Sequence, residues 1–238
     1  MDMELDIEKT RDFYNKTEHI WAPNDPWHMV SFQRISSLVS ACAIPPSDYV
    51  LNAGSGGNAY GLVNRMHHVD IAGEKISKEK EYTIASIENI PLQDGLFDTI
   101  LCVGTVINYC NPERVISEFR RLLKHGGRLI LEFENSKSYE YCGREAYCRK
   151  SAVIECLFQG ELHRNFVFLP EYIETILAQN GFSVRKKSYF HILSTWALHL
   201  GLSEKQAAIF AVGDTVCQHI PCLRTHGGNV FMVCTLMK

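Results

Sequence analysis

The 238 residues predict an α/β fold built on a mostly parallel sheet. Three observations carry that expectation. Short apolar strand candidates alternate with helical or turn segments from Val50 to Glu134. The stretch "FDTILCVG", residues 97–104, is continuously apolar after its aspartate, as in a strand buried on both faces. Between it and the next strand candidate lies an amphipathic helix with its own start signal, and parallel neighbours must be joined by such excursions across a face.

In chain order, a polar helix is expected around Ile7 to Asn15. A second is expected in "SFQRISSLVSACAI", where Phe32, Ile35, Leu38 and Val39 share one face. The prolines and Asn-Asp pair of "HIWAPNDPWHMV" break both periods and predict an aromatic loop between them. "SDYVLNAG" is the first strand, followed by glycines 54, 56 and 57 and a helix-compatible "AYGLVNRM". "HHVDIAG" is the second strand, ending at Asp70, "EYTIAS" the third and "FDTILCVG" the fourth. Asn111 caps the best helix and Pro112 opens it. Val115, Phe119, Leu122 and Leu123 form its apolar face up to Gly126-Gly127, and "GRLILEFEN" is the fifth strand. Residues 138–169 lack a clean period and read as an insertion over the ligand edge of the sheet, with room for a hairpin. "PEYIETILAQNGF" is a helix, "SVRKKSYFHIL" a strand, and "GGNVFMVCTLMK" a last strand antiparallel to its predecessor. The expected organisation is one domain: a cap over 1–46, a core over 47–135, an insertion or lid over 136–168, and the rest of the sheet over 169–238.

With Lys+Arg 24 against Asp+Glu 27 the net charge is -3, which argues against a DNA footprint and disfavours RNA. Nine cysteines without a C-x-x-C read as reduced thiols of a cytoplasmic protein, and no apolar run predicts a leader or a membrane span. "CQHIPC" lacks the paired spacing of a zinc site, so no metal is expected.

Ligands of open parallel sheets lie beyond the carboxyl ends of the strands. Those ends are Asn52 to Gly57, Asp70, Ser86-Ile87 and Cys102 to Asn108. The glycines allow close backbone approach, and a short acid after the second strand suits a pair of ribose hydroxyls. A nicotinamide dehydrogenase fits less well, because "GSGGNAYG" is not the full dinucleotide fingerprint.

In "VLNAGSGGNAYG", "HHVDIAGEKI", "ASIENIPLQDGLFDTILCVGTVINY" and "PERVISEFRRLLKHGGRLILEFEN", taken in this order, the chain resembles the class I S-adenosylmethionine-dependent methyltransferases, especially their small-molecule branch. "LPEYIETILAQNGFSV" extends the likeness to a later helix and strand. The resemblance implies a Rossmann-like, seven-stranded, mostly parallel sheet with an antiparallel last strand and a helical N-terminal cap. It implies S-adenosylmethionine as cofactor, held by Tyr14, Asn52, Ala53, Gly54, Gly56, Asp70, Ile71, Ser86, Ile87, Cys102, Val103 and Gly104. Asp70 would bind the ribose, Ser86 and Ile87 the adenine, and residues 102–104 the amino-acid end.

Three positions depart from the family pattern: Asn52 replaces an acid, Ser86 replaces an aspartate, and "IAGEKISKEK" offers ten residues where a helix is usual. A shortened connection exposes one side of the adenine and predicts weaker binding of cofactor. The implied reaction is in-line methyl transfer, which alignment and desolvation can accelerate without a universal catalytic residue. Trp27, His28, Asn108 and Tyr109 are candidates for the acceptor pocket, although Trp27 also suits helix packing and Asn108 a cap. His28, His163 and His191 are candidate bases. The expected acceptor is a small or medium-sized metabolite, methylated on O, N or C by a monomer or homodimer. A catalytically silent binding protein of the same fold and an RNA or protein methyltransferase are the alternatives.

Overall fold

The structure is a computed structural model, and it describes residues 7–237. Helix α1, Ile7–Lys16, is followed by α2, Pro26–Ser40. The second helix starts five residues earlier than its apolar period indicates. Asp25, in extended conformation, accepts a hydrogen bond from the His28 backbone N–H, and Pro26 occupies the first turn, where its missing N–H costs nothing. Trp27 and His28 are therefore helical rather than part of the expected loop.

Strand β1, Val50–Ala53, is buried along its whole length, and β2, Met66–Asp70, pairs parallel to it. No helix joins them, contrary to the reading of "AYGLVNRM". Tyr60 (φ 49°) and Gly61 (φ 78°) hold left-handed backbone in the middle of that stretch, which interrupts a right-handed helix. Between β2 and β3, Tyr82–Ile84, the connection is a single turn, α3, Gly73–Ile76. The shortened link is thus a helix reduced to one turn, and β3 starts one residue into "EYTIAS".

Strand β4, Phe97–Cys102, leads through a 3-10 turn at Val106–Tyr109 to α4, Pro112–Leu122. Asn111 accepts from the N–H groups of Glu113 and Arg114, as its sequence position predicts. The helix stops at Leu122, short of the glycines, because β5, Leu123–Glu134, begins to pair with β4 at once, with a bulge between Phe97 and Thr99. Gly127 fits inside that strand where a Cβ would lie 2.7 Å from the Lys124 carbonyl oxygen.

The insertion contains a hairpin of β6, Ser151–Phe158, and β7, Glu161–Phe168. Its two-residue turn, Gln159-Gly160, has positive φ at both positions, the geometry that suits strand twist. Helix α5, Pro170–Gln179, strand β8, Phe182–Phe190, and helix α6, Ile192–His199, follow. Three short turns, α7 Glu204–Ala207, α8 Asp214–Cys217 and α9 Pro221–Arg224, lead to β9, Asn229–Leu236.

The seven-stranded sheet has the order β3-β2-β1-β4-β5-β9-β8, and only β9 runs antiparallel to its neighbours. One face packs Phe119 and Leu122 of α4 and Ile173 and Leu177 of α5 against β4, β5 and β9. The other packs Ile35 and Val39 of α2 against Val50, Leu101, Ile130 and Phe231. Replacing Asn111 with Ala should lower unfolding free energy by about 1 kcal/mol by removing the α4 cap. Urea denaturation should show a lower midpoint and an unchanged slope.

Candidate functional site

The carboxyl ends of β1 to β4 open on one cleft, about 860 Å3 when counted out to its mouth. Its floor is the glycine turn after β1. A Cβ on Gly54 would lie 2.2 Å from Val106 Cγ1, and one on Gly56 would lie 2.3 Å from Ile20 Cδ1, while both residues have positive φ. Only glycine lets the backbone pass here.

Asp70 closes β2. Its Oδ2 accepts from the Gly56 N–H and its Oδ1 from the Ala72 N–H, each at 2.8 Å. Burial raises its pKa, and these backbone donors oppose the rise. Each oxygen retains a second lone pair for a ligand donor. Ile71 stands beside it, and Ala85, Ser86 and Ile87 form the wall below β3.

The opposite wall comes from the loop after β4, with Val103, Gly104 and Tyr109. Glu132 of β5 fixes this loop, its Oε2 accepting from the N–H groups of Gly104 at 2.9 Å and Thr105 at 2.7 Å. Its Oε1 accepts from Asn229 Nδ2 at 2.7 Å.

The cap forms the roof. Ile7, Thr10 and Tyr14 of α1 line the cleft, with Ile20 and Trp21 from the segment after it. The Tyr14 and Tyr109 hydroxyls are 3.3 Å apart, and burial pushes Tyr14 up to about 12 and Tyr109 well above its ordinary value, so neither is a base near neutrality. Asn15 Oδ1 accepts from the Glu74 N–H, and Lys75 donates to the Thr17 carbonyl. The expected exposed side is thus covered: α1 lies over the shortened β2 to β3 link.

A second cavity, about 1250 Å3 with its open mouth, meets the cleft at Trp21 and Gly104, which line both. Trp27 and His28 face this chamber with Phe158 of the hairpin. His28 Nδ1 lies 2.6 Å from Asp25 Oδ2, and its ring packs 4.6 Å from Phe158.

Several expected site residues sit elsewhere. Asn52 is buried and turned into the β1 to β2 link, donating to the Asn58 carbonyl and contacting Met66 Sδ. The side chains of Ala53 and Cys102 are packed in the core, which leaves their backbone, the part the resemblance assigns to Cys102, to meet a ligand. Asn108 donates to the Phe166 carbonyl and accepts from the Glu134 N–H, tying β7 to β5 instead of facing a ligand. His163 packs 4.2 Å from Phe13 with its Nε2 buried and unpartnered. His191 is fully buried, bonded to Ser31 and Ser194 on its two nitrogens and stacked on Trp27 at 4.0 Å. Such a ring supports the tryptophan and cannot reach an acceptor. The sequence reading did not single out Ile20, Trp21, Tyr60 or Lys75. Trp21 alone had a signal, its place in the aromatic segment before α2.

A parallel sheet whose glycine turn, acid after β2 and loop after β4 meet in one cleft is the arrangement that the resemblance to the class I S-adenosylmethionine-dependent methyltransferases leads one to expect. Residues 47–131 match the family model described as a methyltransferase domain. It is 30% identical over 148 residues to an uncharacterised protein of Methanocaldococcus jannaschii, covering 56% of this chain and 64% of that one. It is 29% identical to a demethylmenaquinone methyltransferase of Thermotoga maritima over 59% of this chain and 71% of the relative. A Burkholderia thailandensis 1,6-didemethyltoxoflavin-N1-methyltransferase, solved with S-adenosylhomocysteine, shares the fold at a TM-score of 0.59 and 12% identity, over 98% of this chain and 89% of that one. Among the described residues no helix is long and apolar enough to cross a membrane, and no cluster of metal-ligating side chains is found.

Burial holds His191 neutral, with its pKa lowered from 6.5 to about 3. Below 6.5 the unfolded chain takes up a proton that the folded ring refuses, so this contribution to stability is intact above 6.5 and is lost as pH falls toward 3. Wild-type stability should therefore fall more steeply than that of His191→Asn between pH 7 and 4.5 in urea titrations; parallel curves refute the assignment.

Proposed function

We propose that the protein is an S-adenosylmethionine-dependent methyltransferase acting on a small or medium-sized metabolite. The observation that carries this is the pairing of two cavities across one loop: a cleft at the strand ends shaped by glycines and an acid, and a second chamber beyond Gly104. The cleft suits the cofactor chemically. Gly54 and Gly56 form its floor, Asp70 offers carboxylate lone pairs for ribose hydroxyls, and Ala85 and Ile87 give an apolar seat for adenine beside Ser86. Bound there, S-adenosylmethionine supplies an electrophilic methyl group on a sulfonium.

The chain's own residues then have three tasks. Glu132 holds Gly104 and Thr105 at the boundary between cleft and chamber, which fixes the direction of approach. The cap and hairpin exclude water, with Phe13 against Phe158 and Gln159 donating to the His19 carbonyl. His28, whose Nδ1 is engaged by Asp25, presents Nε2 as a base for an acceptor that must lose a proton.

The likeness to a quinone-precursor methyltransferase and to an N-methyltransferase of sarcosine and dimethylglycine supports the reaction type and leaves the acceptor atom open. The acid-rich chamber walls disfavour a polyanionic RNA acceptor.

S-Adenosylhomocysteine at ~100 times its dissociation constant should add about 2.7 kcal/mol of stability in a thermal shift, and NAD should add none. Asp70→Ala should remove most of the shift; normal binding by that variant defeats the ribose assignment. Ile20 of the cap and Val106 of the turn after β4 pack over the two glycines, so these side chains must shift to bring a ligand against that backbone, and that cost lowers apparent affinity. Calorimetry should give a micromolar dissociation constant, and a submicromolar value contradicts this part.

A further inference from the structure

The chamber beyond Gly104 has a chemical bias that the class alone does not dictate. Its floor is acidic. Glu134 comes from the end of β5, Glu140 from the segment after it, and Glu204 from the start of α7. Three separate stretches of chain thus deliver carboxylates to one cavity, and aromatic rings of Trp21, Trp27, Tyr141 and Phe158 form much of the remaining wall.

Glu132, the innermost acid, is satisfied by its three donors, but the others are not. Glu134 accepts from Asn165 Nδ2 at 2.8 Å through Oε2 alone. Among the described residues nothing bonds to its Oε1, and no hydrogen bond or ion pair reaches the carboxylate of Glu140, a half-buried side chain that lines the cavity, while Glu204 is exposed at its rim. Arg144 attracts Glu140 across the cavity without pairing to it.

A carboxylate drawn partly away from water without a full set of donors is costly, and this desolvation drives Glu134 up to about 8 and Glu140 to about 7. Neighbouring acids add to both shifts. A cation seated between them would remove that cost and turn each carboxylate into a charge-assisted acceptor. The aromatic walls suit the same occupant, because ring faces attract positive charge.

We propose that this chamber receives a small organic cation, an amine in its ammonium form, with its charged end among Glu134, Glu140 and Glu204 and its carbon skeleton against the aromatic wall. The proposal rests on the methyltransferase reading, in which this cavity holds the acceptor. It names the acceptor class as an amine: the ammonium form binds, the nitrogen attacks the methyl group only after its proton has passed to a base such as His28 or a chamber carboxylate, and the sulfonium leaves as the neutral thioether.

The test uses three probes of one shape and different charge: 2-phenylethylamine, 2-phenylethanol and phenylacetate. Binding of each to the full chain is measured by calorimetry at pH 7, with and without S-adenosylhomocysteine. The amine should bind at least ten times more tightly than the alcohol and the acid. Glu140→Gln and Glu204→Gln, which keep shape and remove charge, should each weaken amine binding about tenfold and leave the S-adenosylhomocysteine thermal shift unchanged, which also verifies that the variants fold. Binding of none of the probes, equal binding of alcohol or acid, or amine affinity untouched by both variants overturns the proposal. Loss of the S-adenosylhomocysteine shift in the wild type strikes instead at the methyltransferase reading, because the charge preference is also read without it.

Discussion

The Glu132 carboxylate is the contact on which the site depends. It is fully buried in the middle of the sheet, where an isolated charge is costly, and three donors meet it: the N–H groups of Gly104 and Thr105 and the Asn229 side chain. Those bonds join β4, β5 and β9 at their site-facing ends. They also hold Gly104 and Thr105 in left-handed backbone, at φ 85° and 58°, a conformation that glycine adopts freely and that costs the β-branched Thr105 strain. At Gly104 a Cβ would lie 3.2 Å from the Tyr60 hydroxyl and 3.4 Å from the Trp21 ring. The narrow partition between cleft and chamber therefore follows from one acid satisfied by backbone.

The loss of two crossover helices is compensated elsewhere in the fold. The chain runs one way through β1, β2 and β3 and the other way through β4 and β5, so right-handed connections put the first two links and α4 on opposite faces. The first two links carry only turns and α3, and the face they leave uncovered is where α2 packs Ile35 and Val39, with Phe32 alongside. Tyr60 and Leu62 of the helix-free first link join the same cluster. The cap is thus a structural layer of the sheet as well as a roof. Its α1 end binds back to α3 through Asn15 and Lys75, which couples cofactor access to the shortest crossover.

The parts of this arrangement legible in the sequence are those encoded locally. The β strands of the core, the Asn111-Pro112 helix start and the final antiparallel strand follow from period, caps and turns, and Asp70 and the glycines follow from strand ends. "AYGLVNRM" misleads because its composition tolerates a helix while Tyr60 and Gly61 are held left-handed by packing under Trp21 and α2, a long-range cause. Asn52 and Asn108 mislead for a related reason. An asparagine near a ligand edge and one bonded to buried backbone look the same in sequence, and only the fold shows Asn108 joining β7 to β5. The chamber is the least legible part, since Glu134, Glu140, Glu204 and His28 come from four segments that no spacing connects.

That distributed origin bears on why acids stand there at all. A sulfonium donor is already a cation, and a second unit charge brought to about 4 Å would be opposed by about 4 kcal/mol at an effective dielectric constant of about 20. An ammonium acceptor therefore needs negative charge close at hand, but on its far side, so that the donor is not drawn away from the cleft. Asp70 cannot serve because it lines the cofactor cleft and not the chamber, and Glu132 because three donors already engage it. Glu134, Glu140 and Glu204 lie across the Gly104 partition with lone pairs to spare. Their burden on the empty protein and their value to a bound cation are two sides of the same electrostatics.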